Sequence, residues 1–151
     1  MTGGAPSAPL CGPSLRAMSQ PGLRRLVIGI GVDMVDVDRI QAALERRGAR
    51  FAERAFTEAE IAYCQRSQCP ERRFAARFAA KEAVMKALGR GWFQGMPFKE
   101  IEVTRDDRGV PGIRLSGETA ELAAQLGVTD MHLSITHEQR SAVAFVVAEK
   151  R

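Results

Sequence analysis

The sequence predicts an α+β domain, in which a small antiparallel sheet packs against one long helix and several short ones. Apolar residues alternate near both ends of the chain, as in strands, and recur every three or four residues between them, as in helices. The later strand segments are joined by short polar turns, which is typical of antiparallel hairpins. With 151 residues, 45% of them hydrophobic, the chain can form one ordinary core, so we expect a single domain over residues 26–151.

Residues 1–25 differ in composition from the rest of the chain. They are rich in Gly, Pro, Ser and Ala, show no apolar periodicity and contain three arginines but no acid. Such a segment cannot bury enough apolar surface to offset its loss of conformational entropy. We therefore expect a disordered N-terminal extension before the domain.

The first strand is predicted over residues 26–33. Its alternation places β-branched residues at positions 28, 30 and 32 on one face. The other face carries two glycines followed by an acid: Gly29, Gly31 and Asp33. Glycines at these positions remove side chains where another group must approach the strand closely.

Two short helices are predicted after this strand. Asp36 or Asp38 can cap the first helix, in which apolar residues keep helical spacing until Gly48, a suitable terminating residue. Thr57 and Glu60 form the capping-box pattern that opens the second helix near residue 58.

A long helix is predicted over residues 71–88, ending at Gly89. At about 100° per residue, its large apolar side chains form one stripe, which has Lys81 inside it and Glu82 and Lys86 on its edge. An exposed i, i+4 ion pair of Glu82 with Lys86 is one interpretation. The other is that these charges face a ligand, because only small alanines lie beside them on the helix surface.

Strands dominate the last third of the chain. After a glycine-rich loop at residues 90–97, we predict a strand over 98–105, a turn at 106–109 and a second strand that ends at residue 115. Ser116 can cap a short helix that closes at Gly127. Two further strands, 131–136 and 142–148, are joined by a short polar hairpin.

The charge distribution argues against a nucleic-acid-binding protein. The net charge is +4, but the three arginines of the first 25 residues supply most of it, so the domain is nearly neutral. The chain also has only one Trp and one Tyr, too few for a surface of interleaved aromatic and basic residues.

Basic residues nevertheless cluster in two places. Residues 39–54 hold five arginines and two acids, and residues 66–90 hold seven basic residues and two acids. Two basic clusters on a nearly neutral domain favour anionic partners that are met locally, such as phosphates or an acidic protein. Solvated helix faces are the alternative interpretation.

The sequence predicts a cytoplasmic protein. No apolar run approaches the roughly 20 residues that span a bilayer, and the N-terminus lacks the apolar core of a signal peptide. The three cysteines are an odd number without the spacing of a redox or zinc motif, so we expect reduced thiols.

Asp33 and Glu82 are candidate metal ligands. Two carboxylates from different elements form a hard oxygen site, which suits Mg²⁺ better than zinc. Because Mg²⁺ usually completes its shell with water and phosphate oxygens, a site beside Lys81 and Lys86 indicates a phosphate ligand. The residues alone do not show that Asp33 and Glu82 meet, and Asp33 as a cap of the following turn is the alternative.

Three segments resemble the holo-[acyl-carrier-protein] synthases, the short trimeric branch of the 4′-phosphopantetheinyl transferases. They are residues 29–33 (GIGVD), followed by Arg39; residues 77–89 (RFAAKEAVMKALG), which form the most specific block; and residues 133–138 (LSITHE). The resemblance covers about residues 26–149 in the family's order. It implies the 4′-phosphopantetheinyl transferase fold, assembled as a homotrimer with sites between subunits.

The resemblance also implies a reaction. A serine of apo acyl carrier protein attacks the β-phosphate of coenzyme A, phosphopantetheine moves to that serine and 3′,5′-ADP leaves, as a step that supports fatty-acid synthesis. Asp33 and Glu82 match the family's Mg²⁺ ligands. Asp33, Glu82 and Lys86 are therefore the expected catalytic residues, and Glu82, directly or through a water, is the candidate base.

Binding residues follow from the same resemblance. Residues expected to bind coenzyme A are Lys81, Lys86, Arg77, Gly89 and His137, although His137 taken alone is also typical of a solvated loop. Arg39 matches a family arginine that meets acidic residues of the carrier protein, and three further arginines extend its face: Arg46, Arg47 and Arg50. Plain surface arginines are the alternative.

One departure from the family pattern lies just after the long helix. The family commonly has Thr-Gly after Leu-Gly, whereas this chain has Arg90 and Gly91. A non-catalytic module that binds coenzyme A or a nucleotide is the alternative function. Such a module would be expected to lack one of the two metal-binding carboxylates or Lys86, whereas this chain has Asp33, Glu82 and Lys86.

Overall fold

The computed structural model describes residues 24–90 and 97–151. The predictions for residues 1–23 and for most of the loop at 90–97 therefore lie outside the described residues. The strands are β1 (Leu26–Asp36), β2 (Ile101–Arg105), β3 (Pro111–Leu115), β4 (Asp130–His137) and β5 (Ser141–Lys150). The helices are α1 (Val37–Arg47), α2 (Ala49–Ala55), α3 (Glu58–Gln65), α4 (Pro70–Ala87) and α5 (Gly117–Gln125), with one 3₁₀ turn at Phe98–Glu100.

The α+β prediction is confirmed, with the strands divided between two antiparallel sheets. The larger sheet has the order β1-β5-β4, and β2 pairs with β3 in the smaller one. Asp33 pairs with Ala144 of β5 in the larger sheet. The strand β1 continues three residues beyond the predicted end, so Asp33 lies within the strand and not at its end.

Helix α4 packs along the inner face of the larger sheet and forms the centre of the core. Four buried residues alternate along β5 against this helix, and all are small or β-branched: Ala142, Ala144, Val146 and Ala148. The helix presents mainly alanines in return. Small side chains on both surfaces let the helix and sheet approach closely, which fixes the distance between β1 and α4.

The two glycines of β1 lie against the α4 backbone. A Cβ atom at Gly31 would lie 1.8 Å from the carbonyl oxygen of Ala83, and one at Gly29 would lie 1.9 Å from that of Ala87. The group that the glycines admit is therefore the helix itself. The outward face of β1 is exposed, with Val32 at 53% and Met34 at 71%, so this strand is buried on one side only.

The predicted helix signals before α4 are confirmed. The Asp36 side chain caps α1 by accepting from the Asp38 backbone N–H at 2.8 Å, and Gly48, at φ 51°, ends it. Thr57 and Glu60 make both hydrogen bonds of the capping box on α3. Helix α2 was not predicted, because a seven-residue helix without a side-chain cap gives little periodic signal.

Glu100 caps α5 in place of the predicted Ser116. Ser116 occupies the N-cap position without a side-chain cap hydrogen bond. The carboxylate of Glu100 instead accepts from the backbone N–H and the hydroxyl of Thr119, both at 2.8 Å. These hydrogen bonds, led by the backbone N–H of Thr119, hold the pKa of Glu100 below its usual 4.5.

We expect Glu100→Gln to lower the stability of the protein at pH 7 and to have little effect in strong acid. Because the pKa of Glu100 is lowered on folding, the charged cap stabilises the fold above the ordinary value of 4.5. That contribution is lost as the pH falls through the folded-state pKa. Urea unfolding from pH 7 to pH 3 should show a loss of about 1 kcal/mol that shrinks with acidification. A difference that is constant with pH would contradict the charged cap.

None of the helices in the described part of the chain is long and apolar enough to cross a bilayer.

Candidate active site

Asp33 and Lys86 meet where β1 crosses the last turns of α4. The Lys86 ammonium donates to Asp33 Oδ1 at 2.8 Å and to the backbone carbonyl of Val32 at 2.9 Å. The Lys86 side chain is 49% exposed and that of Asp33 only 17%. The pair therefore has one protected carboxylate and one ammonium that is open to solvent.

Glu82 lies one helical turn before Lys86 and faces the same cluster. Its Oε1 atom is buried and has no hydrogen-bond partner. Burial, followed by the nearby Asp33 carboxylate, raises the pKa of Glu82, whereas Lys86 and Arg39 act in the opposite direction. The structure thus brings Lys86 into contact with Asp33, 53 residues before it in the chain. Glu82 and Arg39 lie close enough to interact with them electrostatically.

The donor set of this cluster fits Mg²⁺. A buried carboxylate oxygen without a partner is costly, and a second carboxylate nearby adds repulsion that a divalent cation between them relieves. Among residues 24–90 and 97–151, no group of three or more His, Cys, Asp and Glu side chains could hold a metal. Two carboxylates are nevertheless enough for Mg²⁺, which keeps several waters and takes phosphate oxygens.

Lys81, which the resemblance implies binds coenzyme A, lies outside this cluster. Its side chain is 0% exposed, and its ammonium lies 2.7 Å from Glu60 Oε2. It also donates to the backbone carbonyl of Phe98 at 2.9 Å. The apolar stripe correctly placed Lys81 in the core, where its ammonium has two protein partners.

Arg77 is also buried on that side of α4, away from Asp33. It is 4% exposed, and its guanidinium stacks 3.9 Å from the centre of the Tyr63 ring. Its Nε atom has no hydrogen-bond partner. The chain therefore does not bring Arg77 to the cluster of Asp33, Glu82 and Lys86.

Two other expected coenzyme A residues lie at chain turns. Gly89 ends α4 at φ 71°, a conformation that favours glycine, and it is exposed. His137 is the exposed last residue of β4, at the mouth of the β4–β5 hairpin. This hairpin reaches the start of α1, where the Val37 N–H donates to the Arg140 carbonyl at 2.9 Å.

The expected carrier-binding arginines, except Arg39, line a groove of about 1020 Å³. We call this the basic groove. Its basic residues are Arg46, Arg47, Arg50, Arg54 and Lys99, and its remaining lining is Phe51, Ala55, Phe78, Pro97 and Phe98. Phe78, which lines the groove, lies one helical turn before Glu82 on α4.

The groove contains residues that were not among the sequence candidates. Phe51 stacks on Phe78 with ring centres 6.3 Å apart, and Phe78 stacks on Phe98 at 5.0 Å. Arg54 is the fifth arginine of the first basic cluster and could have been included on that ground. Lys99 and Phe98 follow a loop, and nothing in the local sequence indicates that they approach α2.

The chain matches one family over most of its length. A family model described as "4′-phosphopantetheinyl transferase superfamily" matches residues 29–146. A holo-[acyl-carrier-protein] synthase of Solibacter usitatus is 45% identical over 124 residues, which are 82% of this chain and 99% of the relative. One from Serratia proteamaculans is 47% identical, over 82% of this chain and 98% of the relative.

Solved structures agree with the sequence relatives. The holo-[acyl-carrier-protein] synthase of Neisseria meningitidis has a TM-score of 0.76 at 34% identity, over 83% of this chain and 100% of that one. The Helicobacter pylori synthase, solved in complex with coenzyme A, has a TM-score of 0.69 at 31% identity, over 79% of this chain and 98% of that one.

Proposed function

Because the chain belongs to the holo-[acyl-carrier-protein] synthases of the 4′-phosphopantetheinyl transferase superfamily, we propose that it transfers phosphopantetheine from coenzyme A to apo acyl carrier protein in a Mg²⁺-dependent reaction. The observation that supports this most is the cluster at Asp33. There, a protected carboxylate, a buried and unpartnered glutamate oxygen and an exposed ammonium lie within one turn of α4.

The proposed reaction breaks a phosphoanhydride bond of coenzyme A and forms a phosphoester on the carrier protein. The serine oxygen of the carrier protein bonds to the phosphorus that bears pantetheine, the bond from that phosphorus to the bridging oxygen breaks, and 3′,5′-ADP leaves with the electron pair. Mg²⁺, when held by Asp33 and Glu82, would supply positive charge that neutralises the pyrophosphate oxygens. Catalysis of this kind depends mainly on positioning and electrostatics.

Lys86 and Glu82 have distinct roles in this proposal. The Lys86 ammonium is half-exposed beside Asp33, so it can bind a phosphate oxygen and stabilise negative charge there. Glu82 accepts the serine proton, directly or through a water. Burial raises the pKa of its carboxyl group in the metal-free protein, and a bound cation would act in the opposite direction.

Incubation of apo acyl carrier protein with coenzyme A, Mg²⁺ and this protein tests the activity. Intact-mass measurement should show that the carrier gains phosphopantetheine, and chromatography should show an equal amount of 3′,5′-ADP. Binding of coenzyme A without a mass gain on the carrier would instead support the non-catalytic module.

We propose that the basic groove binds the acidic carrier protein. Five basic side chains surround three stacked phenylalanines, which suits a partner that is acidic at its rim and has an apolar residue to bury. Phe78 of α4 lines the groove one helical turn before Glu82, so in this proposal a bound carrier presents its serine toward that part of the helix. Arg39, at the start of α1, is close enough to the carboxylate cluster to oppose the rise in the pKa of Glu82.

We expect Arg50→Glu to raise the KM for the carrier protein by about 10-fold and to leave that for coenzyme A nearly unchanged. The substitution reverses one charge in the groove without touching Asp33, Glu82 or Lys86. Arg108→Glu is the matched control, since this 85%-exposed side chain lies on the β2–β3 turn. Steady-state kinetics at two salt concentrations measure the effect, and equal losses for both substrates would contradict the assignment.

We also propose that three copies assemble through the outer face of the larger sheet. Large apolar residues are exposed there on two neighbouring strands: Ile30 at 58%, Val32 at 53%, Met34 at 71% and Phe145 at 43%. Val32 pairs directly with Phe145, so these side chains form a continuous surface. An exposed apolar surface of this kind marks an interaction site. Because the family resemblance implies a trimer, we propose that a second copy of this chain covers it.

Val32→Asp should convert the trimer into monomers, because it places a charge in the apolar interface. Analytical ultracentrifugation measures the change, with Arg114→Asp on the exposed side of β3 as the control. A wild-type protein that sediments as a monomer would overturn the trimer proposal.

A further inference from the structure

A buried ion pair joins α4 to three other elements. Glu60 is 1% exposed and Lys81 is 0% exposed, and their charged atoms lie 2.7 Å apart. Lys81 also donates to the Phe98 carbonyl on the 3₁₀ turn, at 2.9 Å. Glu60 accepts from the backbone N–H of Val103 on β2 at 3.0 Å, and from that of Thr57 at the start of α3 at 2.9 Å.

Stability alone does not explain charged residues at these positions. The cost of desolvating two charges often exceeds their attraction, and apolar residues of similar size commonly stabilise a core at least as well. Burial accordingly lowers the pKa of Lys81, although the Glu60 carboxylate opposes this effect. What the pair adds is a set of short, directional contacts, whereas an apolar contact permits α4 to slide or rotate.

The position of the pair on α4 relates it to the carboxylate cluster. Lys81 directly precedes Glu82, so the two side chains leave the helix about 100° apart. The glycines of β1 fix how closely α4 approaches the sheet, but they contact only its backbone. Rotation about the helix axis and sliding along it must be limited by side chains, and on the side of α4 away from Asp33 the Lys81 ammonium is held by two partners, Glu60 and the Phe98 carbonyl.

We propose that the Glu60–Lys81 pair is a positioning device, which holds α4 in the rotation and register that bring Glu82 and Lys86 to Asp33. This inference rests on the proposed function, since it assigns a second layer of residues to the same site. A displacement of about 1 Å in such a site is enough to weaken ligand binding and transfer. Lys81 thus acts through Glu82 and touches no substrate.

The double variant Glu60→Gln/Lys81→Met tests the proposal. Glutamine can still accept from the Val103 N–H, and methionine fills the space of the lysine stem, so no uncompensated charge remains buried. We expect the affinity for Mn²⁺ to fall by about 10-fold or more. Electron paramagnetic resonance measures this affinity, because the signal of free Mn²⁺ decreases when the ion binds. The transfer rate at saturating coenzyme A should fall with it.

Thr119→Val is the control for stability. It removes a buried hydroxyl that donates to Glu100 and leaves both hydrogen-bond sets of Glu60 and Lys81 in place, so it should lower the unfolding temperature without changing Mn²⁺ affinity. Glu60→Asp provides a second variant that keeps both charges but shortens the acidic side chain by one methylene and so withdraws it from Lys81. It should also weaken Mn²⁺ binding, and it decides the question if the double variant does not fold.

Two outcomes separate this inference from the function on which it rests. If the wild-type protein binds Mn²⁺ and modifies the carrier, and the folded variants bind Mn²⁺ as tightly as it does, the positioning role is wrong and the function stands. If the wild-type protein neither binds Mn²⁺ nor modifies the carrier, the proposed function fails and this inference fails with it.

Discussion

Glu82→Gln is expected to lower the rate of phosphopantetheine transfer by at least about 100-fold without unfolding the protein. The substitution removes one of the two carboxylates proposed to hold Mg²⁺, together with the proposed base for the serine proton. It also replaces a buried carboxylate oxygen that has no partner in the chain. The loss should therefore appear in catalysis and in Mn²⁺ affinity together.

Glu82→Gln should not lower the stability of the fold, although it lowers the transfer rate. Because the pKa of Glu82 is raised on folding, its carboxylate destabilises the fold at neutral pH, so glutamine should leave stability unchanged or increase it. Urea unfolding at pH 7 in the presence of EDTA measures this. Glu121→Gln, the same change on the exposed surface of α5, is the control. A Glu82→Gln variant that transfers at the wild-type rate would remove Glu82 from the site.

Gly31→Ala is the second substitution with a large expected effect. The added Cβ would lie 1.8 Å from the Ala83 carbonyl oxygen and 2.8 Å from the Ala87 backbone nitrogen, and neither backbone atom can move without moving α4. We expect a loss of about 3 kcal/mol or more in the free energy of unfolding. The displaced helix should also separate Lys86 from Asp33, so transfer should fall in the molecules that remain folded.

Gly112→Ala is the matched control in the smaller sheet. Its added Cβ would meet only the side-chain hydroxyl oxygen of Thr104, at 3.0 Å, which can rotate away. This variant should lose no more than about 1 kcal/mol. Guanidinium unfolding and intact-mass assays of both variants provide the comparison. Equal stability of the two alanine variants would show that the approach of β1 to α4 is not tight.

Local sequence signals predicted most of the fold. The caps at Asp36 and Thr57 and the terminating Gly48 were correct because each depends on hydrogen bonds within a few residues. The cap of α5 was not, because its carboxylate comes from Glu100, 19 residues before the Thr119 N–H that it accepts. A pattern of neighbouring residues carries no information about such a contact.

In the candidate site, too, features within one helix were predicted, whereas contacts between distant elements were not. Periodicity placed Glu82 and Lys86 at the edge of the apolar stripe and Lys81 inside it, and the structure agrees. The pairing of Lys81 with Glu60, however, joins residues on two helices, so the family resemblance assigned this lysine to coenzyme A instead. The meeting of Asp33 with Lys86 likewise depends on how β1 packs on α4, which sequence alone leaves open.

The strand order has a consequence for how the site forms during synthesis. The central strand of the larger sheet is β5, residues 141–150, and β1 and β4 are joined only through it. Until the ribosome has made β5, β1 has no partner strand in this sheet. Lys86 of α4 is then the hydrogen-bond partner available to the Asp33 side chain. Pairings over such a long sequence separation form slowly. Metal binding by Asp33 and Glu82 should thus become possible only after residues 141–150 have emerged.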